Sequence, residues 1–213
     1  MKVRGRNLGK RLLLYVIADR TFSQGRSEEE VVAQAARGGA TAIQLRGKGL
    51  TGRELYLTGI SLRRLTREMG LLFIVNDRVD VALAVDADGV HLGQDDLPLQ
   101  AARRLMGRRK IIGISVDTVE EALAAQQGGA DYLGAGPVFA TASKVDAGPV
   151  MGPEGLRRIC IAVRIPVVGI GGVNADNARQ VVAAGAIGVA VISAVVGAPD
   201  IAAAASSLRQ ALS

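Results

Sequence analysis

Acidic side chains follow two short apolar segments that lie close together in the chain. Asp77 comes just after residues 71–75, and Asp95 and Asp96 come just after residues 89–92. If both segments are neighbouring strands of one parallel sheet, their carboxyl ends lie at the same edge. Asp77 can then share a cation with Asp95 or Asp96. Mg²⁺ prefers such oxygen ligands and bridges them to substrate phosphates.

The same acidic residues can instead cap the helices that follow them. Asp and Asn side chains accept hydrogen bonds from the free N–H groups at a helix start. One such segment alone favours the capping role. Two of them on adjacent strands, in a basic chain with 27 glycines, favour a metal site.

Basic side chains follow another apolar segment. Arg46 and Lys48 come just after residues 41–45, and together with the acidic pair they suit a highly charged ligand such as a diphosphate. Lys144, in a long glycine-containing stretch, could close over the same ligand. The pattern therefore predicts a diphosphate site beside the metal.

Glycines and a serine follow two later apolar segments. Gly171 and Gly172 come after residues 166–170, and Ser193 comes after residues 188–192. Glycine allows backbone N–H groups to approach phosphate oxygens closely, although these glycines could also serve only a tight turn. Two phosphate sites and a metal indicate a reaction that joins two phosphorylated molecules with loss of diphosphate.

Apolar strand-like segments alternate with helical patterns along the whole chain. The alternation predicts a parallel sheet with crossover helices, and eight repeats in this length predict a single-domain α/β fold, the (β/α)₈ TIM barrel. An open doubly wound sheet is the alternative. The predicted strands are 12–18, 41–45, 71–75, 89–92, 110–115, 132–136, 166–170 and 188–192. The predicted helices are 27–37, 51–69, a patch from Val79, 98–105, one from Thr118, 153–163, 175–184 and 200–212.

The domain is predicted to span residues 1–213, with residues 1–11 as a flexible basic extension. In such a barrel the active site is built from the loops that follow the strands. Polar residues and glycines concentrate in those loops: Asp19, Arg20, Gln44, Arg46, Lys48, Asn76, Asp77, Arg78, Gln94, Asp95, Asp96, Ser115, Asp117, Thr141, Ser143, Lys144, Gly171, Gly172 and Ser193.

Composition narrows the class of ligand. The formal net charge of +6 favours anionic ligands, but the basic residues are scattered and lack interleaved aromatic residues, which argues against nucleic acid.

Cys160, the single cysteine, lies in a helical apolar pattern and is interpreted as a core residue. No segment has the length and apolar character of a membrane span, and no signal peptide is recognised, so a cytoplasmic protein is expected.

Taken together, the motifs resemble those of the thiamine phosphate synthase family, nearly from end to end. The segments that carry the resemblance are QLRGK (44–48), VNDRVDVAL (75–83), GVHLGQDDLP (89–98), GISVDT (113–118), DYLGAGPVFATASK (131–144), GIGGV (169–173) and GVAVISA (188–194). The resemblance implies condensation of hydroxymethylpyrimidine diphosphate with thiazole phosphate, or its carboxylated form. The products are thiamine phosphate and diphosphate.

The resemblance also assigns residues. It implies that Asp77 and Asp96 bind Mg²⁺, and thereby prefers Asp96 over Asp95. It implies that the pyrimidine diphosphate is bound by Gln44, Arg46, Lys48, Asn76, Ser115 and Lys144. The thiazole phosphate would be bound by Thr141, Ala142, Ser143, Gly172, Ile192 and Ser193. The catalytic residues would be Arg46, Lys48, Lys144 and Ser115, which stabilise the leaving diphosphate through a dissociative, carbocation-like step.

The chain departs from the family pattern at four positions. Gly47 replaces a usual Glu, whose carboxylate could orient Arg46 or Lys48, and Asp117 replaces a usual His. Ala140 stands where Pro is common, and Ser143 stands where a second Thr is common. The changes at positions 47 and 117 mark either a tolerated variation or a divergent member.

Two other functions fit the same sequence. A thiazole tautomerase of similar fold tends to lack the second acidic ligand, which is present here as Asp96. A non-catalytic protein that binds thiamine precursors would not need the full set of charged residues. His91, the single histidine, is interpreted as a structural residue of the fourth strand. Partners are expected to be phosphorylated small molecules, and a homo-oligomer is possible.

Overall fold

Eight parallel strands form a closed barrel in the computed structural model, which describes residues 7–143 and 148–212. Each strand pairs with the next in sequence, and the first pairs with the last, so that Leu14 lies opposite Val189. The strands are β1 (Leu14–Asp19), β2 (Ala42–Arg46), β3 (Leu72–Asn76), β4 (Gly89–Leu92), β5 (Ile111–Val116), β6 (Tyr132–Ala135), β7 (Val167–Ile170) and β8 (Gly188–Val191). The predicted barrel is confirmed.

Helices alternate with these strands and surround them. They are α1 (Leu8–Arg11), α2 (Glu28–Arg37), α3 (Gly52–Glu68), α4 (Val79–Ala84), α5 (Leu99–Met106), α6 (Val119–Gln127), α7 (Gly152–Ala162), α8 (Ala178–Ala183), α9 (Ser193–Val196) and α10 (Ile201–Ala211). Side-chain caps explain several starts. Ser27, Thr51 and Thr118 each accept a hydrogen bond from the N–H group three residues on. At Thr51, the Glu54 side chain returns the bond and completes a capping box.

The predicted flexible extension over residues 1–11 falls partly outside the described residues, which begin at residue 7. Residues 8–11 form α1, and Leu8 is buried there, followed by the fully buried Leu12. Both side chains belong to the apolar cluster inside the barrel, together with Tyr15 and Tyr132. Burial of leucine in such a cluster is favourable by about 2 kcal/mol per side chain, and this burial helps to hold the short helix against the barrel.

Two apolar layers make up the core. One fills the barrel, and the other lies between the strands and the surrounding helices and contains most of the buried Val, Leu, Ile and Ala residues. The inner layer holds the tyrosine pair Tyr15 and Tyr132, and Gly113 on β5 makes room for it. A Cβ atom at Gly113 would lie 2.1 Å from Cζ of Tyr132. Since a side chain at Gly113 would displace the ring, the glycine is what admits a large polar aromatic residue to the barrel.

Two helices were not expected from the sequence pattern. Besides α1, the short α9 begins directly at Ser193, where the prediction placed only a loop after the last strand. The sequence predicted Pro98 as the first residue of its helix. In the structure, Pro98 is the residue before α5. Among the helices in residues 7–143 and 148–212, none has the length and apolar character needed to cross a membrane.

Candidate active site

A cavity of about 230 Å³ opens at the end of the barrel where the strands finish. It is lined by side chains from loops and strand ends around the barrel, as the fold predicts. The predicted site residues that line it are Gln44, Arg46, Lys48, Asn76, Asp77, Asp96, Ser115, Thr141, Ser143, Ile192 and Ser193. Ala142 and Gly172 belong to the predicted set but do not line the cavity. Lys144 lies outside the described residues.

The acidic pair is formed by Asp77 and Asp96. Asp77 follows β3 with a positive φ of 60°, and its N–H group donates to the carbonyl of His91 at 2.8 Å, which ties the ends of β3 and β4 together. The Asp96 carboxyl lies within hydrogen-bonding distance of Asp77 and also accepts the N–H of Gly93 at 2.6 Å. The sequence left Asp95 and Asp96 open as partners, and the contact with Asp77 is made by Asp96.

Burial raises the pKa of Asp77 from 3.8 to about 7, and the neighbouring Asp96 adds to the shift through its hydrogen bond and charge. Lys48 and Arg46 act in the opposite direction, because their positive charges favour the carboxylate. Two carboxylates this close cannot both be ionised at low cost. The pair therefore needs either a shared proton or a bound cation.

The cation Arg46 is held by the carboxylate of Asp19, which the sequence placed after the first strand without a specific role. Asp19 and Arg46 end the neighbouring strands β1 and β2 and lie opposite each other in register. Asp19 is fully buried, and one of its oxygens accepts from Arg46 Nη1. Its other oxygen accepts the N–H of Thr21 at 2.9 Å. With both oxygens engaged, Asp19 holds the guanidinium at the edge of the cavity.

This ion pair bears on the departure from the family pattern at Gly47. A Cβ atom at Gly47 would lie 2.6 Å from Leu55 and 2.8 Å from Leu50, so a larger residue would force those side chains to move. Because residue 47 is glycine, no carboxylate can orient Arg46 from that position. Asp19 contacts Arg46 from the neighbouring strand. Asp117, the other charge-changing departure, lines the cavity.

A chain of hydrogen bonds crosses the floor of the cavity inside the barrel. Gln44 Nε2 donates to the hydroxyl of Tyr15 at 2.7 Å, and the hydroxyls of Tyr15 and Tyr132 are 3.1 Å apart. His91 Nδ1 lies 2.9 Å from the Tyr132 hydroxyl, and His91 Nε2 lies 3.0 Å from Ser115 Oγ. His91 was interpreted as structural, yet it lines the cavity and connects two predicted binding residues.

Hydroxyl groups cluster at the opposite side of the cavity. Ser143 Oγ lies 3.1 Å from Ser193 Oγ, and the Ser143 N–H donates to Thr141 Oγ1 at 3.1 Å. Gly172 supports this side through its backbone. Its φ is 64°, and a Cβ atom there would lie 2.4 Å from the carbonyl oxygen of Ala140. A glycine at position 172 therefore lets the loop after β7 pack closely on the loop after β6.

Comparison with known protein families identifies the family to which this chain belongs. The model of the family described as thiamine monophosphate synthase matches residues 14–195, which is most of the barrel. The chain belongs to the thiamine monophosphate synthase family. The match extends from the first residue of β1 into α9, so it includes all described residues assigned above to the cavity.

Individual members of the thiamine monophosphate synthase family are similar over nearly their whole length. The thiamine-phosphate synthase of Moorella thermoacetica is 58% identical over 197 residues, which cover 92% of this chain and 94% of that protein. That of Pyrococcus furiosus is 55% identical over 204 residues, 96% of each. The solved thiamine phosphate pyrophosphorylase from Pyrococcus furiosus matches with a TM-score of 0.89 at 53% identity, covering 97% of this chain and 98% of that one. The predicted family and the predicted enzyme class, a transferase, are confirmed.

Proposed function

We propose that this cavity joins hydroxymethylpyrimidine diphosphate to thiazole phosphate, or to its carboxylated form, in a Mg²⁺-dependent reaction that yields thiamine phosphate and diphosphate. The observation that carries the proposal is the close pair Asp77 and Asp96, facing Arg46 and Lys48 across one cavity. Such a pair needs a shared proton or a cation, and the positive charges of Arg46 and Lys48 beside it favour an anion. A metal-bound diphosphate supplies both.

The donor set fits Mg²⁺. In residues 7–143 and 148–212, no group of three or more His, Cys, Asp or Glu side chains could hold a metal ion. Asp77 and Asp96 would supply two oxygens, and diphosphate and water would supply the others, which is how Mg²⁺ is commonly held. When bound, the ion neutralises charge on the diphosphate and makes it a better leaving group.

The protein residues act mainly on the leaving group. The carbon–oxygen bond to the diphosphate breaks, and the diphosphate leaves with the bonding electrons. The electron-rich aminopyrimidine stabilises the positive carbon that remains, and the lone pair of the thiazole nitrogen forms the new carbon–nitrogen bond. Arg46 and Lys48 stabilise the departing charge, and Lys144 is proposed to assist them. A neutral ring nitrogen is already a nucleophile, so no general base is required.

The two substrates occupy different sides of the cavity in this proposal. Gln44, Asn76 and Ser115 contact the pyrimidine ring and its diphosphate, next to the acidic pair. The thiazole phosphate lies among the hydroxyl groups and the loops after β6, β7 and β8, and its proposed ligands are Thr141, Ala142, Ser143, Gly172, Ile192 and Ser193. A cytoplasmic location and a homo-oligomer remain predictions.

Product formation tests the proposal directly. Purified protein is incubated with both substrates and Mg²⁺, and thiamine phosphate is detected after conversion to a fluorescent derivative, with and without a chelator. We expect product that disappears with the chelator and returns when Mg²⁺ is restored. Isomerisation of the carboxylated thiazole phosphate without condensation would indicate a tautomerase instead. Binding of both substrates without any product would indicate a precursor-binding protein.

Asp19→Asn tests the role of the buried carboxylate next to Arg46. The substitution keeps the shape of the side chain but removes the charge that holds the guanidinium. We expect kcat/KM for the pyrimidine diphosphate to fall by about 10- to 100-fold, because a displaced group of this kind loses its alignment with the substrate.

Asp80→Asn is the matched control for this substitution. Asp80 also pairs with an arginine, Arg78, at 2.6 Å, but both side chains are exposed on the outside of the barrel. Its kcat/KM should match that of the unmodified protein. Equal kinetics for Asp19→Asn and Asp80→Asn would contradict the assignment of Asp19.

A further inference from the structure

The hydrogen-bond chain beneath the cavity has a direction that follows from its chemistry. The amide nitrogen of Gln44 can only donate, so the Tyr15 oxygen accepts from it. The Tyr132 oxygen is the acceptor within reach of the buried Tyr15 proton, so Tyr15 donates to Tyr132, and Tyr132 in turn donates its single proton to His91 Nδ1. His91 therefore carries its own proton on Nε2 and donates it to Ser115 Oγ.

The direction of the chain determines what its two ends offer to a ligand. The hydrogen bond from one N–H of Gln44 to Tyr15 orients the amide, so that the carbonyl oxygen on its other side is the atom presented as an acceptor. Because Ser115 Oγ accepts from His91, its own hydroxyl proton can be donated. Each link carries one proton, so the two ends cannot be set independently. Reversing one end requires reversing every hydrogen bond between them.

We infer that Tyr15, Tyr132 and His91 are positioning residues that fix Gln44 as an acceptor and Ser115 as a donor, so that the cavity selects a ring with an amino group beside a ring nitrogen. Such a ring offers one donor and one acceptor in the complementary order. A ring with an oxo group beside a protonated nitrogen offers the opposite order and would require reversal of the chain. This inference rests on the proposed function for the identity of the ring.

The surroundings of the chain support a built arrangement. Tyr15 and Tyr132 are fully buried, and burial raises the pKa of both hydroxyls, so that each keeps the proton that the chain requires. Two strand glycines make room for the rings. Gly113 admits Tyr132, and a Cβ atom at Gly134 would lie 3.0 Å from Cε1 of His91. The glycines on β5 and β6 thus leave the space that the rings of Tyr132 and His91 occupy.

The tautomer of His91 can be measured without any assay of activity. His91 is the single histidine of the chain, so the ring ¹⁵N signals of untagged, labelled protein belong to one residue. We expect a proton on Nε2 and none on Nδ1 at neutral pH. Tyr132→Phe removes the hydroxyl that donates to Nδ1, and we expect it to produce a mixture of tautomers. A proton on Nδ1 in the unmodified protein would overturn the inference.

Substrate discrimination supplies the second measurement. The pyrimidine diphosphate and its analogue with an oxo group in place of the amino group are compared in the unmodified protein, Tyr132→Phe and Tyr15→Phe. We expect the unmodified protein to prefer the amino substrate by at least about 100-fold in kcat/KM. Either variant should lower this preference by about tenfold or more, with a higher KM for the amino substrate and a smaller change in kcat.

Tyr56→Phe is the control, because it deletes a hydroxyl from an exposed tyrosine on α3, outside the cavity. Thermal unfolding of each variant shows whether it is folded. Folded variants with the same preference as the unmodified protein would reduce the tyrosines to structural residues and overturn the inference. If the unmodified protein forms no product at all, the proposed function fails, while the His91 tautomer still decides the direction of the chain.

Discussion

Asp77→Asn is expected to lower kcat by about 10³-fold, the scale of effect found when a group that stabilises transition-state charge is removed. The substitution keeps the size of the side chain and tolerates the positive φ of 60° at this position, since Asn adopts that conformation readily. It removes one of the two carboxylates proposed to hold Mg²⁺. Steady-state kinetics over a Mg²⁺ titration measure the loss, which added metal should not restore.

The raised pKa of Asp77 adds a pH dependence with a definite sign. Its pKa is about 7 in the folded protein and 3.8 for an unperturbed aspartate, so between these values the folded metal-free protein binds the extra proton. The contribution of this group to the free energy of unfolding is therefore full below about pH 4 and is lost as the pH rises through about 7. Mg²⁺ replaces the proton, so its affinity should increase from pH 6 to pH 8.

Thermal unfolding with and without Mg²⁺ checks this expectation. Stabilisation by Mg²⁺ should be larger at pH 8 than at pH 6 in the unmodified protein and small at both pH values in Asp77→Asn. Asp86→Asn is the matched control, because Asp86 also has a positive φ but is exposed and pairs with Arg67 and Lys110 away from the cavity. Near-normal turnover of Asp77→Asn would remove the acidic pair from the mechanism.

Arg46→Ala is expected to lower kcat/KM by about 10²- to 10³-fold, because it removes a fixed positive charge from the leaving diphosphate. The same substitution leaves Asp19 buried without its charge partner, which typically costs about 3–5 kcal/mol in the free energy of unfolding. Arg46→Lys keeps the charge but not the planar donor geometry, and should recover part of the stability and less of the activity.

A double-mutant cycle separates the two effects of losing Arg46. Adding Asp19→Asn to Arg46→Ala removes the unpaired buried charge, so the double variant should unfold at a higher temperature than Arg46→Ala alone while remaining slow. Arg157→Ala is the control, since Arg157 pairs with Glu154 on the exposed face of α7. If Arg46→Ala is folded and fully active, Arg46 does not stabilise the leaving group.

The order of the elements was predictable because most strands are compact runs rich in apolar residues, and helical patterns separate them. The strand predicted at residues 71–75 forms as Leu72–Asn76, and the strand predicted at 89–92 forms with those bounds. Helix α1 was missed because Lys10 and Arg11 lie between Leu8 and Leu12, the two leucines that become buried. The burial of Leu8 depends on the barrel that receives it, which no local pattern reveals.

The cavity was predictable residue by residue where the loops carry charge, and less so where partners come from distant strands. The sequence placed Asp19 after the first strand, but its contact with Arg46 depends on the register between β1 and β2. His91 and Tyr132 are separated by forty-one residues in sequence and meet only inside the closed barrel. The steric role of Gly113 likewise becomes visible only when a ring lies against it.

Closure between β1 and β8 also determines when the sheet no longer has an open edge that could pair with another molecule. Until β8 is synthesised, β1 keeps an unpaired edge of the kind that joins strands of different molecules. The pairing of Leu14 with Val189 joins segments far apart in sequence, so it carries a large loop entropy and should form late. A chain still on the ribosome therefore already contains the acidic pair and Arg46 but exposes two open sheet edges. Its yield in a cell should depend on how quickly the last strand closes the ring.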